Sequence, residues 1–306
     1  MKVSVVIPNY NYARYLKERL RSVLGQTMRD LEVLYIDDAS TDDSNEVAWD
    51  FARNDPRMSL CHRATNSGGP YWTWNEAAKR ARGDWLWFAG ADDTASANFL
   101  EELLALAGRH PEAGIVRSDY LRMDADSRVV GRASADRVRR WKDGADYYGS
   151  GPAEIGYAAL SPYGTASSLL VRRDVFEACG GFDTRIPLSA DTLFYVRAVA
   201  MSGMAYCARP LSAYRDHPAS ATRASSVGAT EISKCFSMAT ALAILAGQGI
   251  VDTDECRGLR RYIRFRLNSA RCATGGRLPP EVQWMIRPIL DQVPGFAGAG
   301  WLENNE

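Results

Sequence analysis

The sequence predicts an α/β protein with a mostly parallel sheet flanked by helices and a helical C-terminal region. Two observations carry this. From residue 1 to about 120, short strand-like apolar runs alternate with longer runs at helical spacing, the pattern of strands joined by crossover helices. From about residue 230 the strand-like runs stop, and helical stretches follow at roughly 230–247, 254–272 and 280–291, separated by Gly, Pro and polar breaks. At 306 residues, with 46% hydrophobic and 24% charged, the chain has a globular composition and is long enough to bury a large core.

Val3 to Ile7 is the first strand, and Tyr15, Leu16, Leu20, Val23 and Leu24 mark the helix after it. Leu31 to Ile36, Met58 to Cys61 and Trp85 to Phe88 are the next strands; Phe99, Leu100, Leu103, Leu104 and Leu106 mark a helix after the fourth. Val129-Val130 reads as a further strand, and the polar, aromatic and glycine-rich segment Asp143 to Gly164 as a substrate loop. A strand at Ser167 to Val171, a short helix ending near Cys179 and a stronger helix from about Asp191 to Met201 follow.

Lys plus Arg and Asp plus Glu balance at 37 each, so no overall field draws the chain to nucleic acid, and any anion needs a local site. The six cysteines, at 61, 179, 207, 235, 256 and 272, form no C-x-x-C pair, which suits a reduced, cytoplasmic compartment. Val3 to Ile7 is too short for a signal-peptide core. The most apolar stretch, Phe236 to Val251, carries Ser237, Thr240, Gln248 and two glycines and reads as a buried helix rather than a spanning one.

Ligands of an open parallel sheet gather beyond the carboxyl ends of its strands. Here those ends are Pro8-Asn9-Tyr10-Asn11, Asp37-Asp38-Ala39-Ser40, Asn66-Ser67-Gly68-Gly69 and Gly90-Ala91-Asp92-Asp93. Residues 8–15 contain no glycine and no G-x-x-x-x-G-K-[ST] run occurs, so a phosphate has no glycine-rich cradle. Asp92 and Asp93 offer another route: a hard cation such as Mn²⁺ or Mg²⁺ takes one or two carboxylates and completes its shell with phosphate oxygens.

SVVIPNYN, IDDASTDDS, NSGG followed by GDWLWFAGADD, then RRDVFEACGGFD, SADTLFYVRA and YRDHPAS occur in that order over residues 1 to 222. They resemble the successive motifs of the family-2 inverting glycosyltransferases of the GT-A fold. The resemblance implies a GT-A domain over 1–222, with a nucleotide-sugar half (1–120) and an acceptor-side half (121–222), ahead of a helical region, 223–306. It implies a nucleotide-diphosphate sugar donor, UDP- or dTDP-linked, and a glycan, lipid-linked or small-molecule acceptor.

Position by position, the resemblance implies that Pro8 and Tyr10 lie beside the nucleotide and that Asp38 accepts a hydrogen bond from the base. Asp92 then holds ribose or donor sugar and Asp93 ligates the metal. Asn9 and Asn66 join the same donor edge. Asp191 aligns with the family's general base, the carboxylate that takes the acceptor proton as its oxygen attacks the anomeric carbon. His217 resembles a position that in some relatives helps hold metal or diphosphate. The chain departs from the family pattern at Gly90, where the fuller D-x-D-D form has its first acid, and at Ala190, where a glutamate often precedes the base.

Each residue also has a structural reading. Asp92 and Asp93 suit a cap on a helix starting near Ala95, Asp191 the N-cap of a helix from Thr192, and Asp38 a turn with Ser40 and Thr41. His217 suits a loop. Trp72, Trp74, Trp85 and Trp87 suit the core, with Trp72 or Trp74 alternatively stacking on a sugar. Asp183 and Glu154 are the next carboxylates for the base. Arg257, Arg260, Arg261, Arg264 and Arg266 form a solvated helix face or, in a second reading, a peripheral contact with the inner face of an anionic membrane. Two rival functions remain open. A nucleotidyltransferase usually has a glycine-rich basic segment unlike PNYNYARYLKERL; a non-catalytic nucleotide-sugar-binding protein gains weight from Gly90 and Ala190.

Overall fold

The computed structural model describes residues 2–133, 146–159, 165–186, 190–220, 227–250 and 254–273, with the isolated positions 283, 287, 288 and 291. β1 (Val3–Asn9), α1 (Ala13–Leu24), β2 (Leu31–Asp37), α2 (Ser44–Ala52), β3 (Met58–His62), α3 (Pro70–Arg80) and β4 (Trp85–Phe88) alternate as expected. They are followed by β5 (Thr94–Ala95), α4 (Phe99–Arg109), β6 (Ile115–Met123), β7 (Val129–Ala133), β8 (Tyr147–Gly149) and α5 (Pro152–Ala159). A 3-10 turn at 166–168 leads to β9 (Leu169–Arg172), α6 (Arg173–Ala178), α7 (Ala190–Ser202), β10 (Met204–Arg215), α8 (Val227–Gly247) and α9 (Asp254–Ala273).

The ten strands make one sheet in the order β3-β2-β1-β4-β9-β6-β10-β5, with β7 on β6 and β8 on β10. β3, β2, β1 and β4 are mutually parallel, β9 enters antiparallel between β4 and β6, and β10 runs parallel to β6. Most strands therefore point one way, as the sequence predicts. β1 and β4 are apolar almost throughout because both of their faces are buried. Ser4 interrupts β1, and its hydroxyl donates to Glu32 Oε1 (2.6 Å) and accepts from the Gly83 N–H (2.8 Å).

The structure corrects several expectations. The 143–164 segment, read as loop, contains β8 and α5, while residues 134–145 and 160–164 lie outside the described residues. β8 is three residues long and forms by pairing with β10, a long-range partner that local periodicity does not reveal. The helix expected from about Ala95 starts at Phe99, because Thr94-Ala95 pairs with Ser212-Ala213 instead. The expected helix 280–291 falls almost wholly outside the described residues.

By contacts the chain forms two compact units, one of Met1–Gly149, Tyr163–Phe182 and Ser202–His217, the other of Ser150–Pro162, Asp183–Met201 and Pro218–Glu306. The first holds the whole sheet. In the second, α5 packs on α8 and α9 and joins the C-terminal helices. Among the described residues no helix is long and apolar enough to cross a membrane.

Candidate active site

Charge concentrates where β4 ends. Asp92 and Asp93 stand between two buried arginines, one from α1 and one from the end of β10. Arg19 lies on the apolar face of α1 beside Leu16 and Leu20. Its Nε donates to the Gly90 carbonyl (2.6 Å) and its Nη2 to Ser167 Oγ (2.9 Å), with the guanidinium 5.4 Å from the centre of Trp87. Burial pulls its pKa down to about 10, against the opposing pull of Asp93 and Asp92.

Arg215 ties the other side. Its guanidinium donates to the Asp92 carbonyl (2.6 Å), the Asp124 carbonyl (3.2 Å), Ser127 Oγ (2.8 Å) and Glu18 Oε2 (2.7 Å). It also lies 4.6 Å from the centre of the Tyr15 ring.

The two aspartates are not placed alike. Asp93 is 3% exposed; its Oδ1 accepts from the Arg215 N–H (2.9 Å) and its Oδ2 from Thr165 Oγ1 (2.9 Å). Burial, then the neighbouring Asp92 carboxylate, pushes its pKa up, while Arg19 opposes. The Asp92 side chain is 15% exposed, and its Oδ2 faces His217 Nε2 at 3.1 Å. His217 lies in the irregular segment after β10, as in the structural reading, but it is buried there, with its ring centre 4.7 Å from that of Tyr15 and with Tyr12 meeting it edge-on at 5.6 Å. The aspartates do not cap the helix after them, because Asn98 occupies that N-cap. A Cβ at Gly90 would stand 3.1 Å from Asp92 Oδ1 and 3.3 Å from Asp93 Oδ2, so a third acid there would crowd both carboxylates.

At the ends of β2 and β3 the work is divided between adjacent aspartates. Asp37, not Asp38, makes the turn with Ser40, accepting its N–H at 2.9 Å, and also accepts from Asn9 Nδ2 (3.2 Å). Asn9 is thereby buried within the scaffold. Asp38 organises the segment after β3: it accepts from the Ser67 N–H (3.0 Å) and Oγ (2.7 Å) and pairs with Arg63 Nε (2.9 Å). Asn66 donates to the Asp38 carbonyl (3.0 Å). The Arg63 guanidinium lies 3.9 Å from the centre of the Trp72 ring, which is 42% exposed. Tyr10 is 46% exposed beside the half-buried Pro8, whereas Trp74, Trp85 and Trp87 are core residues.

In the second unit, Asp191 sits in the first turn of α7, which starts at Ala190, and accepts from the Thr192 N–H (2.8 Å). Asp183 is held by Arg185, whose side-chain hydrogen bonds, at 2.9 and 2.7 Å, lower its pKa. Glu154 is buried at the head of α5, accepting from the Gly151 N–H (2.8 Å).

Sequence reasoning missed Arg19, Arg63, Thr165 and the guanidinium of Arg215. One signal was available: an arginine at 19 interrupts the apolar stripe of Tyr15, Leu16, Leu20 and Val23, and a cation on a buried helix face needs a partner.

The model of the family described as "Glycosyl transferase family 2" matches residues 4–152. The "Uncharacterized glycosyltransferase EpsJ" of Bacillus subtilis is 32% identical over 138 residues, 44% of this chain and 39% of that protein. The chain spans about half the length, or less, of the curated relatives it matches. Among solved structures, S. aureus TarS in complex with UDP-GlcNAc superposes with a TM-score of 0.64 at 20% identity, over 96% of this chain and 82% of that one. The mannosyltransferase PcManGT from Pyrobaculum calidifontis, in complex with GDP-Man and Mn2+, gives 0.55 at 17% identity, over 96% and 81%. At these identities the likeness is one of fold, and the fold is the GT-A type.

Proposed function

We propose that this chain is a family-2 glycosyltransferase that moves a sugar from a UDP- or dTDP-linked donor to an acceptor hydroxyl with inversion. The observation that carries the reading is the Asp92–His217 pair, 3.1 Å apart at a strand end and braced by two buried arginines. One carboxylate oxygen and one imidazole nitrogen make a mixed donor set that suits Mn²⁺ better than the all-oxygen shell Mg²⁺ prefers. Among the described residues no third His, Cys, Asp or Glu completes a metal site, so diphosphate oxygens would supply much of the shell. When bound, the cation stabilises negative charge on the departing diphosphate. Asp93, the expected ligand, is the more deeply buried of the two, at 3% against 15% for the Asp92 side chain, so in this reading it stands behind Asp92 as the second carboxylate.

Asp38 and Arg63 set an acceptor beside a donor, which fits the N3–H and adjacent carbonyl of uracil or thymine. Trp72 and Tyr10 offer exposed aromatic surface for a base or sugar. Pro8 and Asn66 complete this edge, and Asn9 contributes through the scaffold. Asp191 takes the acceptor proton, a role supported by the resemblance of its motif. The UDP-GlcNAc and Mn2+ complexes of proteins with this fold support a nucleotide-sugar donor and a divalent cation. The acceptor is the hydroxyl of a glycan, a lipid-linked saccharide or a small molecule.

Incubation with UDP- and dTDP-sugars and Mn²⁺ tests this, reading release of the nucleoside diphosphate. Slow hydrolysis that chelation and Asp92→Asn both abolish is expected. Nucleotide binding without any release, with or without acceptors, would make the chain a binder instead.

A further inference from the structure

Arg19 is a buried cation whose hydrogen bonds go to no carboxylate. Its pKa, pulled down to about 10, still leaves it charged at neutral pH. Both of its partners are neutral: Nε donates to the Gly90 carbonyl (2.6 Å) and Nη2 to Ser167 Oγ (2.9 Å), while Nη1 has no partner among the described residues. The carboxylates are nonetheless near. A Cβ at Gly90 would stand 3.1 Å from Asp92 Oδ1, which puts a guanidinium bonded to the Gly90 carbonyl within about 10 Å of that oxygen. Ser167 Oγ accepts from Arg19 and from the Gly90 N–H (2.9 Å), which leaves its own hydrogen for Asp93.

The charges at this strand end nearly cancel. Asp92 and Asp93 are matched by the buried Arg19 and Arg215, and the remaining carboxylate, Glu18, is paired with Arg215 and 45% exposed, so water screens it. A bare divalent ion gains little from such a pocket, whereas a nucleoside diphosphate brings negative charge of its own that outweighs the ion's. We propose that Arg19 is a positioning residue whose buried charge makes the Asp92–His217 pair hold a divalent cation poorly by itself and well in company with a nucleoside diphosphate. The inference rests on the reading of that pair as the cation site.

The test is calorimetric titration of Mn²⁺ into the full chain, alone and with saturating UDP, corrected for association of the ion with free UDP. The parent should bind Mn²⁺ more weakly alone than with UDP. Removing a buried unit charge within about 10 Å of a divalent ion strengthens that ion's binding by about tenfold or more, so Arg19→Gln should gain affinity for Mn²⁺ alone and narrow the gap. Arg19→Lys keeps the charge but loses the forked hydrogen bonds, and should bind Mn²⁺ alone as weakly as the parent. A role confined to packing would weaken binding in both variants and strengthen it in neither. Thermal melts matched to the parent establish that the variants are folded, and Arg19→Met is the second uncharged variant if Arg19→Gln is not. Binding of Mn²⁺ that UDP strengthens in the parent, but that folded uncharged variants do not tighten in the absence of UDP, overturns the proposal and leaves the cation site standing. Binding of Mn²⁺ alone by the parent as tight as with UDP also overturns it. No Mn²⁺ binding with or without UDP overturns the reading of the cation site, and the proposal with it.

Discussion

Replacing Arg215 by lysine separates the charge at the strand end from the geometry that only a guanidinium can supply. Arg215 serves four acceptors in three directions: the Asp92 carbonyl, the Asp124 carbonyl with Ser127 Oγ, and Glu18. One ammonium nitrogen keeps the charge but cannot reach all of them, so at least two acceptors lose their donor. The Glu18 side chain is 45% exposed, and its share is small after solvent screening. Hydrogen bonds from a charged donor to the two carbonyls contribute roughly 1.5–3 kcal/mol each, so a loss of about 2–5 kcal/mol is expected once lysine recovers part of one. At about 2–4 °C per kcal/mol for a domain of this size, the melting temperature should drop by roughly 4–20 °C. The Asp92 carbonyl anchor and the contact with Tyr15, the ring against His217, go with the guanidinium. Mn²⁺-dependent nucleotide binding should therefore weaken more than metal-free binding. Melting by circular dichroism and titration with UDP, with and without Mn²⁺, read both effects. A variant that melts within about 1 °C of the parent and binds UDP with unchanged metal dependence would refute the role given to the guanidinium.

Three further outcomes follow from the same geometry. Burial raises the pKa of Glu32, but hydrogen bonds from Ser4 and from the Arg82 N–H and guanidinium outweigh it and leave the carboxylate below its usual range. Its stabilisation is thus present at neutral pH and lost as pH falls through that lowered value; Glu32→Gln should cost about 1–2 kcal/mol at pH 7, with the gap in melting temperature closing below about pH 4. Gly83→Ala should destabilise by about 1–3 kcal/mol or prevent folding, because the added Cβ would stand 2.5 Å from the Ser4 backbone nitrogen in a central strand; an unchanged denaturation midpoint would show that β1 can yield. Asp191→Asn should lower transfer by on the order of 10²–10⁴ while leaving donor affinity intact, and loss of donor affinity in calorimetry would make Asp191 a donor-site or structural residue.

The fold was legible wherever local chemistry repeats. β1 and β4 read as strands because burial on both faces leaves nearly unbroken apolar runs, and α1 and α4 because one stripe faces the core. β5 and β8, two and three residues long, exist through pairing with β10, more than fifty residues away, and left no periodic trace. The same split runs through the candidate site. Its acids stood out because strand ends collect ligands, but their allocation did not. Asp37 rather than Asp38 makes the Ser40 turn, and Asp92 rather than Asp93 meets His217. Arg19 reaches Gly90 across 71 residues and Ser167 across 148, contacts that no local window contains.

Calorimetric titration of UDP into the protein, with and without Mn²⁺, tests the central claim most directly, with Asp92→Asn and Asp38→Ala beside the parent. The account predicts saturable binding that Mn²⁺ strengthens in the parent but not in Asp92→Asn, and that Asp38→Ala weakens with or without metal. Absence of binding by any nucleoside diphosphate, or binding indifferent to Mn²⁺ and to both substitutions, would contradict it.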